Sequence, residues 1–147
     1  MNLRIRQSKF KRVTGLSLLM LWALCPWVRA QQKPEELAEQ SAESWLALVD
    51  SGNSAQSWEE AASIFKAAVT EEQWKSALRA SRDPLGKVLT RKKVSARYTK
   101  TLSGAPDGEY VVIQYESSFE HKRSAIETVT PMLDQDGKWR VSGCYIK

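Results

Sequence analysis

Apolar residues recur at helical spacing from about residue 34 to residue 83, and at alternate positions thereafter. Pro34-Glu35-Glu36 opens a first helix, because proline suits the first helical position and the two carboxylates complement the positive end of the helix dipole. Leu37, Ser41, Trp45 and Leu48 follow at helical spacing, with Ala38, Ala42 and Val49 beside them, and Gly52-Asn53 supplies a stop. Ser57 and Glu60 read as a capping box for a second helix, in which Trp58, Ala61, Ala62, Phe65 and Val69 form one face. Thr70 and Gln73 repeat that signature for a third, shorter helix bearing Trp74, Ala77 and Leu78, which Asp83-Pro84 terminates. Each helix contributes a tryptophan at core spacing.

After Gly86 the period falls to two. Val94, Ala96 and Tyr98 alternate with polar neighbours, as do Val111, Ile113 and Tyr115, and Trp139 and Val141. Turn chemistry lies between them at 103–108, 120–123 and 135–137. The pattern predicts an α+β domain, three N-terminal helices packed on a curved four-stranded antiparallel sheet. Four strands cannot close, so the first, near Val94 to Leu102, presents an edge protected by Lys93, Arg97 and Lys100.

Strand register singles out one carboxylate. A three-residue loop of Gln135, Asp136 and Gly137 pairs Asp134 with Lys138, and counting outward sets Leu133 opposite Trp139, Pro131 opposite Val141 and Glu127 opposite Tyr145. A bulge at Gly143 would alter the last pairing. In the preceding hairpin, one register sets Glu116 against Glu127, a like-charge contact. Its neighbour pairs Tyr115 with Val129 and Val111 with Leu133, and is preferred. Glu127 then lies on the apolar face with Tyr115, Ser117 and Tyr145, and these four residues are the candidate pocket. Glu127 is there either a ligand-orienting or basic carboxylate, or a structural acid hydrogen-bonded to its neighbours.

Charge and composition narrow the function. The 147 residues are 42% apolar and include six tryptophans, which excludes a disordered chain. The net charge of +5 suggests a nucleic-acid partner until it is located: six basic residues and no acidic one fall in the first 30, leaving 16 basic against 17 acidic beyond them. That leader has a cationic stretch through Arg12, an apolar run from Val13 to Leu24 and Val28-Arg29-Ala30, the pattern of a signal peptide cleaved after Ala30. The apolar run falls short of the roughly 20 residues a membrane span needs. Residues 31–147 are expected to form a single periplasmic or secreted domain, in contact with the membrane only transiently through the leader, and no nucleic-acid partner is expected.

Cleavage would leave Cys144 as the one thiol, and it reads as a small buried apolar residue on a strand. His121, flanked by Glu120, Lys122 and Arg123, reads as a solvated hairpin tip. Asp134-Gln135-Asp136-Gly137 lacks the ligands of a calcium loop, and Arg91-Lys92-Lys93 reads as a solvated charge run. No catalytic residue, metal site or cofactor is expected.

Trp45-Leu46-Ala47-Leu48-Val49-Asp50, Ser57-Trp58-Glu59, Glu72-Gln73-Trp74, Pro84-Leu85-Gly86, Ala105-Pro106-Asp107-Gly108-Glu109-Tyr110 and Asp136-Gly137-Lys138-Trp139-Arg140-Val141 together resemble the bacterial secreted family called domain of unknown function 4019. The resemblance implies an exported bacterial protein with a fold similar to the nuclear-transport-factor-2-like and cystatin-like cones. It brings no catalytic residue, and Cys144 stands where the family usually has an aromatic. The expected function is that of an exported envelope accessory protein acting noncatalytically through contacts with another envelope protein. A carrier of a small apolar ligand held inside the cone is the alternative, and a cone-fold enzyme comes last.

Overall fold

A computed structural model describes residues 32–147, so the signal-peptide reading of residues 1–30 lies outside the described residues. Helices α1 (Pro34–Asp50), α2 (Ser54–Glu59), α3 (Ser63–Ala68) and α4 (Glu71–Ser81) precede a 3₁₀ turn, Asp83–Leu85. Strands β1 (Val88–Thr99), β2 (Tyr110–Phe119), β3 (Lys122–Leu133) and β4 (Trp139–Ile146) then form an antiparallel sheet in the order β1-β2-β3-β4. This is the expected α+β class, with the helices packed on the sheet. Among the described residues no helix is long and apolar enough to cross a membrane.

α1 lies across the sheet and buries Ala38, Ala42, Trp45, Leu46 and Val49. Opposite them β2 offers Val111 and Ile113, β3 Val129 and β4 Val141, all with 1% exposure or less. At about 25 cal/mol per Å² of apolar area, burial of this seam favours folding. α4 begins with the expected capping box, Thr70 accepting from the Gln73 amide while the Gln73 side chain accepts from the Thr70 amide.

The second helix departs from its periodic pattern. It is split at 60–62, because the Ala62 N–H leaves the helix to donate to the Val141 carbonyl of β4 at 2.9 Å. Asp134 then caps the restart, accepting from the Ser63 amide at 2.9 Å and from its hydroxyl at 2.6 Å. Ser57 is not a cap either. It sits inside α2, fully buried, where its carbonyl accepts from the Trp45 indole at 2.7 Å and its hydroxyl oxygen from the Trp74 indole at 2.9 Å. A buried indole N–H needs such an acceptor, so these tertiary bonds override the local capping signal.

Candidate functional site

Three irregularities in the sheet decide which side chains face the helices. The β3–β4 hairpin has the expected register at its tip, with Leu133 opposite Trp139 and Pro131 opposite Val141. An extra residue then enters at Ser142–Gly143, so Thr130 pairs with Gly143, Thr128 with Tyr145 and Glu127 with Ile146. Because side chains alternate between faces, that one residue turns Tyr145 away from the interior, and it is 50% exposed. Ile146 thus takes its place opposite Glu127, while Tyr145 still borders the cavity that Glu127 lines.

The β2–β3 hairpin is tighter than either register considered from the sequence. Its loop is Glu120-His121 alone, Phe119 pairs with Lys122, and Tyr115 lies opposite Glu127 rather than Val129. Neither loop residue belongs to the turn-forming set, and the tip is held instead by tertiary bonds: the Glu120 N–H donates to the Lys87 carbonyl and the His121 N–H to the Leu85 carbonyl. The register differs from the preferred one by two residues, an even number, so Glu127 keeps its face.

Glu127 is 2% exposed and Ser117 5%, and the Ser117 hydroxyl donates to Glu127 Oε2 at 2.5 Å. Tyr115 is buried beside them, its hydroxyl without a hydrogen-bond partner among the described residues. Burial, then the charges of Glu43 and Glu39, raise that phenol above its ordinary pKa.

The counter-ion of Glu127 is Arg91, read from the sequence as part of a solvated run. β1 starts earlier than expected and carries a bulge between Lys93 and Ser95, so Arg91 and Lys93 face inward while Val94 faces out with 55% exposure. Arg91 donates to Glu127 from Nε at 2.6 Å and from Nη2 at 3.0 Å, and to Asp50 from Nη1 at 2.6 Å. Arg82, at the end of α4, donates to the same Asp50 at 2.9 Å and to the Gly86 carbonyl at 2.6 Å, with its guanidinium 4.7 Å from the Phe119 ring centre. The signal available in the sequence was Glu127 itself, since a carboxylate on an apolar face requires a buried cation.

The result is an electrically balanced quartet tying α1 and α4 to β1 and β3. It leaves little room for base chemistry, because both Glu127 oxygens already accept hydrogen bonds. Burial works to raise the Asp50 carboxyl, but hydrogen bonds from Arg91 and Arg82, with their charges, outweigh it and hold the group below its ordinary 3.8. The unfolded chain therefore binds a proton at Asp50 at a higher pH than the folded chain does. The stability Asp50 contributes is complete above that ordinary value and is lost as pH falls through the folded pKa. Urea midpoints are expected to drop below pH 4, and Asp50→Asn, itself less stable at pH 7, is expected to flatten this part of the profile.

Next to the quartet lies a cavity of about 310 Å³ between α1, α4 and the β3–β4 half of the sheet. Trp45, Val49, Trp74, Leu78 and Val129 form its apolar walls, Glu127 and Cys144 its sheet side, and Arg82 and Lys122 also line it. Cys144 is half-buried, and burial, then the Glu127 charge, push its thiol up to about 12, so it is neutral and unreactive at neutral pH. A larger and more open depression, about 600 Å³, lies between α1 and the β3–β4 hairpin, where Leu37, Trp45 and Trp139 are interspersed with Gln40, Ser44, Lys138 and Arg140. Among the described residues no three His, Cys, Asp or Glu side chains come together in a group that could hold a metal ion. His121 is exposed at the hairpin tip, where its backbone N–H donates to the Leu85 carbonyl, and it makes no side-chain hydrogen bond to the quartet.

The model of one protein family, described as "Protein of unknown function (DUF4019)", matches residues 41–144, a stretch that contains the quartet and every wall of the cavity named above. No curated protein matches the chain.

Proposed function

Because the chain belongs to the DUF4019 family of proteins of unknown function, which assigns no chemistry, we propose its role from the site: an exported, noncatalytic protein that carries a small, largely apolar ligand. The cavity supports this reading. About 310 Å³ is at the lower end of the roughly 300–1,000 Å³ typical of ligand sites, and two indoles with few polar groups is the usual lining of such sites. The periplasmic or secreted setting rests on the leader pattern.

Native mass spectrometry of the protein purified from its own envelope tests the carrier. The expected result is a small-molecule adduct, absent from Ala77→Trp, which would fill the cavity from the exposed side of α4. Protein without adduct, together with failure to bind any apolar probe, would reject it. A second reading, contact with another envelope protein, is supported by Leu89 and Val94, 62% and 55% exposed on the edge strand β1. A stable protein partner retained after mild extraction, lost on Leu89→Ser and Val94→Ser, would favour that reading.

A further inference from the structure

We propose that the cavity selects amphipathic anions, taking the apolar body of a small carboxylate against the wall that Trp45, Trp74, Leu78 and Val129 form and holding its head group at Lys122. The proposal rests on the carrier reading and follows from the charges around the cavity. Arg82, Arg91, Asp50 and Glu127 cancel within their own network, each bound to a partner of opposite sign. Glu120, at the adjoining hairpin tip, accepts from the Lys87 amide at 2.8 Å. Cys144 adds no charge, because burial keeps its thiol protonated.

Lys122 remains. The first residue of β3, it faces Phe119, lines the cavity, is half-buried, and pairs with no carboxylate among the described residues. Its four-carbon stem can lie against the apolar wall while the ammonium reaches an anion at the entrance. A cationic ligand would meet Lys122 at the entrance and find Glu127 already occupied by Arg91. A neutral one would leave the ammonium without a partner. The volume, equivalent to roughly ten waters at about 30 Å³ each, fits a body of about ten heavy atoms, not a long-chain lipid.

The test titrates the protein, purified from its own envelope, with decanoate, decanol and decylamine, followed by tryptophan fluorescence, to which Trp45 and Trp74 contribute, and by calorimetry. Decanoate is expected to bind roughly three- to fivefold more tightly than decanol, the range of a partly exposed ion pair, and decylamine more weakly than either. Lys122→Met is expected to erase the preference, Lys122→Arg to retain it, and added salt to reduce it. Equal binding of decanoate and decanol by the unmodified protein, or a preference that survives Lys122→Met, would overturn the head-group assignment and leave the carrier standing. Failure of all three probes to bind would overturn the carrier reading and the assignment with it.

Discussion

Arg91→Leu is expected to lower the free energy of unfolding by about 3 kcal/mol or more at pH 7, measured by urea denaturation. Removing one member of a buried ion pair strands its partner, and that typically costs about 3–5 kcal/mol. Here two carboxylates lose a cation at once: Glu127, whose side chain is 3% exposed, keeps only the Ser117 hydroxyl, and Asp50 keeps only Arg82. Adding Glu127→Gln to the same chain removes the stranded charge, so the double variant is expected to recover a substantial part of the loss, a coupling of at least about 1 kcal/mol. Arg91→Leu alone is also expected to lose part of its disadvantage as acid protonates Asp50. A loss below about 0.5 kcal/mol would mean that Arg91 is solvated, as its neighbours in the charge run suggest.

That contrast marks where the sequence stopped being informative. Alternation reveals faces, and it correctly grouped Val111, Ile113, Tyr115 and Ser117 toward the helices and placed Glu127 among them. The grouping survived a misjudged hairpin loop because a slip of two residues preserves the face. A single inserted residue does not. Extending the alternation of Tyr98, Ala96 and Val94 backwards puts Arg91 outside, whereas the bulge at Val94 brings it in, and the bulge at Ser142–Gly143 moves Tyr145 the other way.

Bulges are fixed by contacts distant in sequence, so a local pattern carries little trace of them; Gly143 was the one visible hint. The same reasoning covers Ser57 and the broken second helix, whose capping and periodic signals were outweighed by two indole N–H groups and by the β4 carbonyl of Val141. The helix ends without such demands, at Pro34 and Thr70, formed as their residues predict.

Gly86→Ala is expected to be about as damaging, at roughly 3 kcal/mol, and to lower the melting temperature by about 10 °C or more. Two independent penalties coincide there. The backbone at φ 74°, ψ −157° lies in a region that residues with a Cβ almost never occupy. A Cβ built there would also lie 2.6 Å from Glu120 Oε2, 2.9 Å from Glu120 Cβ and 3.0 Å from His121 Cδ2. The Glu120 side chain cannot swing aside without giving up its bond to the Lys87 amide, and the hairpin tip cannot retreat without breaking the bonds to Leu85 and Lys87.

Gly137 provides the internal control, since its φ of 77° is similar but no atom lies within 4 Å of the position a Cβ would take. Gly137→Ala should therefore show the backbone penalty alone, about 1 kcal/mol. The turn at Gly86 also accepts the Arg82 guanidinium and sits between Leu85 and the Lys122 hairpin, which line one side of the cavity. Gly86→Ala is thus expected to weaken decanoate binding as well as stability, whereas Gly137→Ala, on the far hairpin, leaves binding unchanged. Equal melting temperatures for the two variants would show that the hairpin tip yields freely, and that the wall bearing Lys122 is not held by this turn.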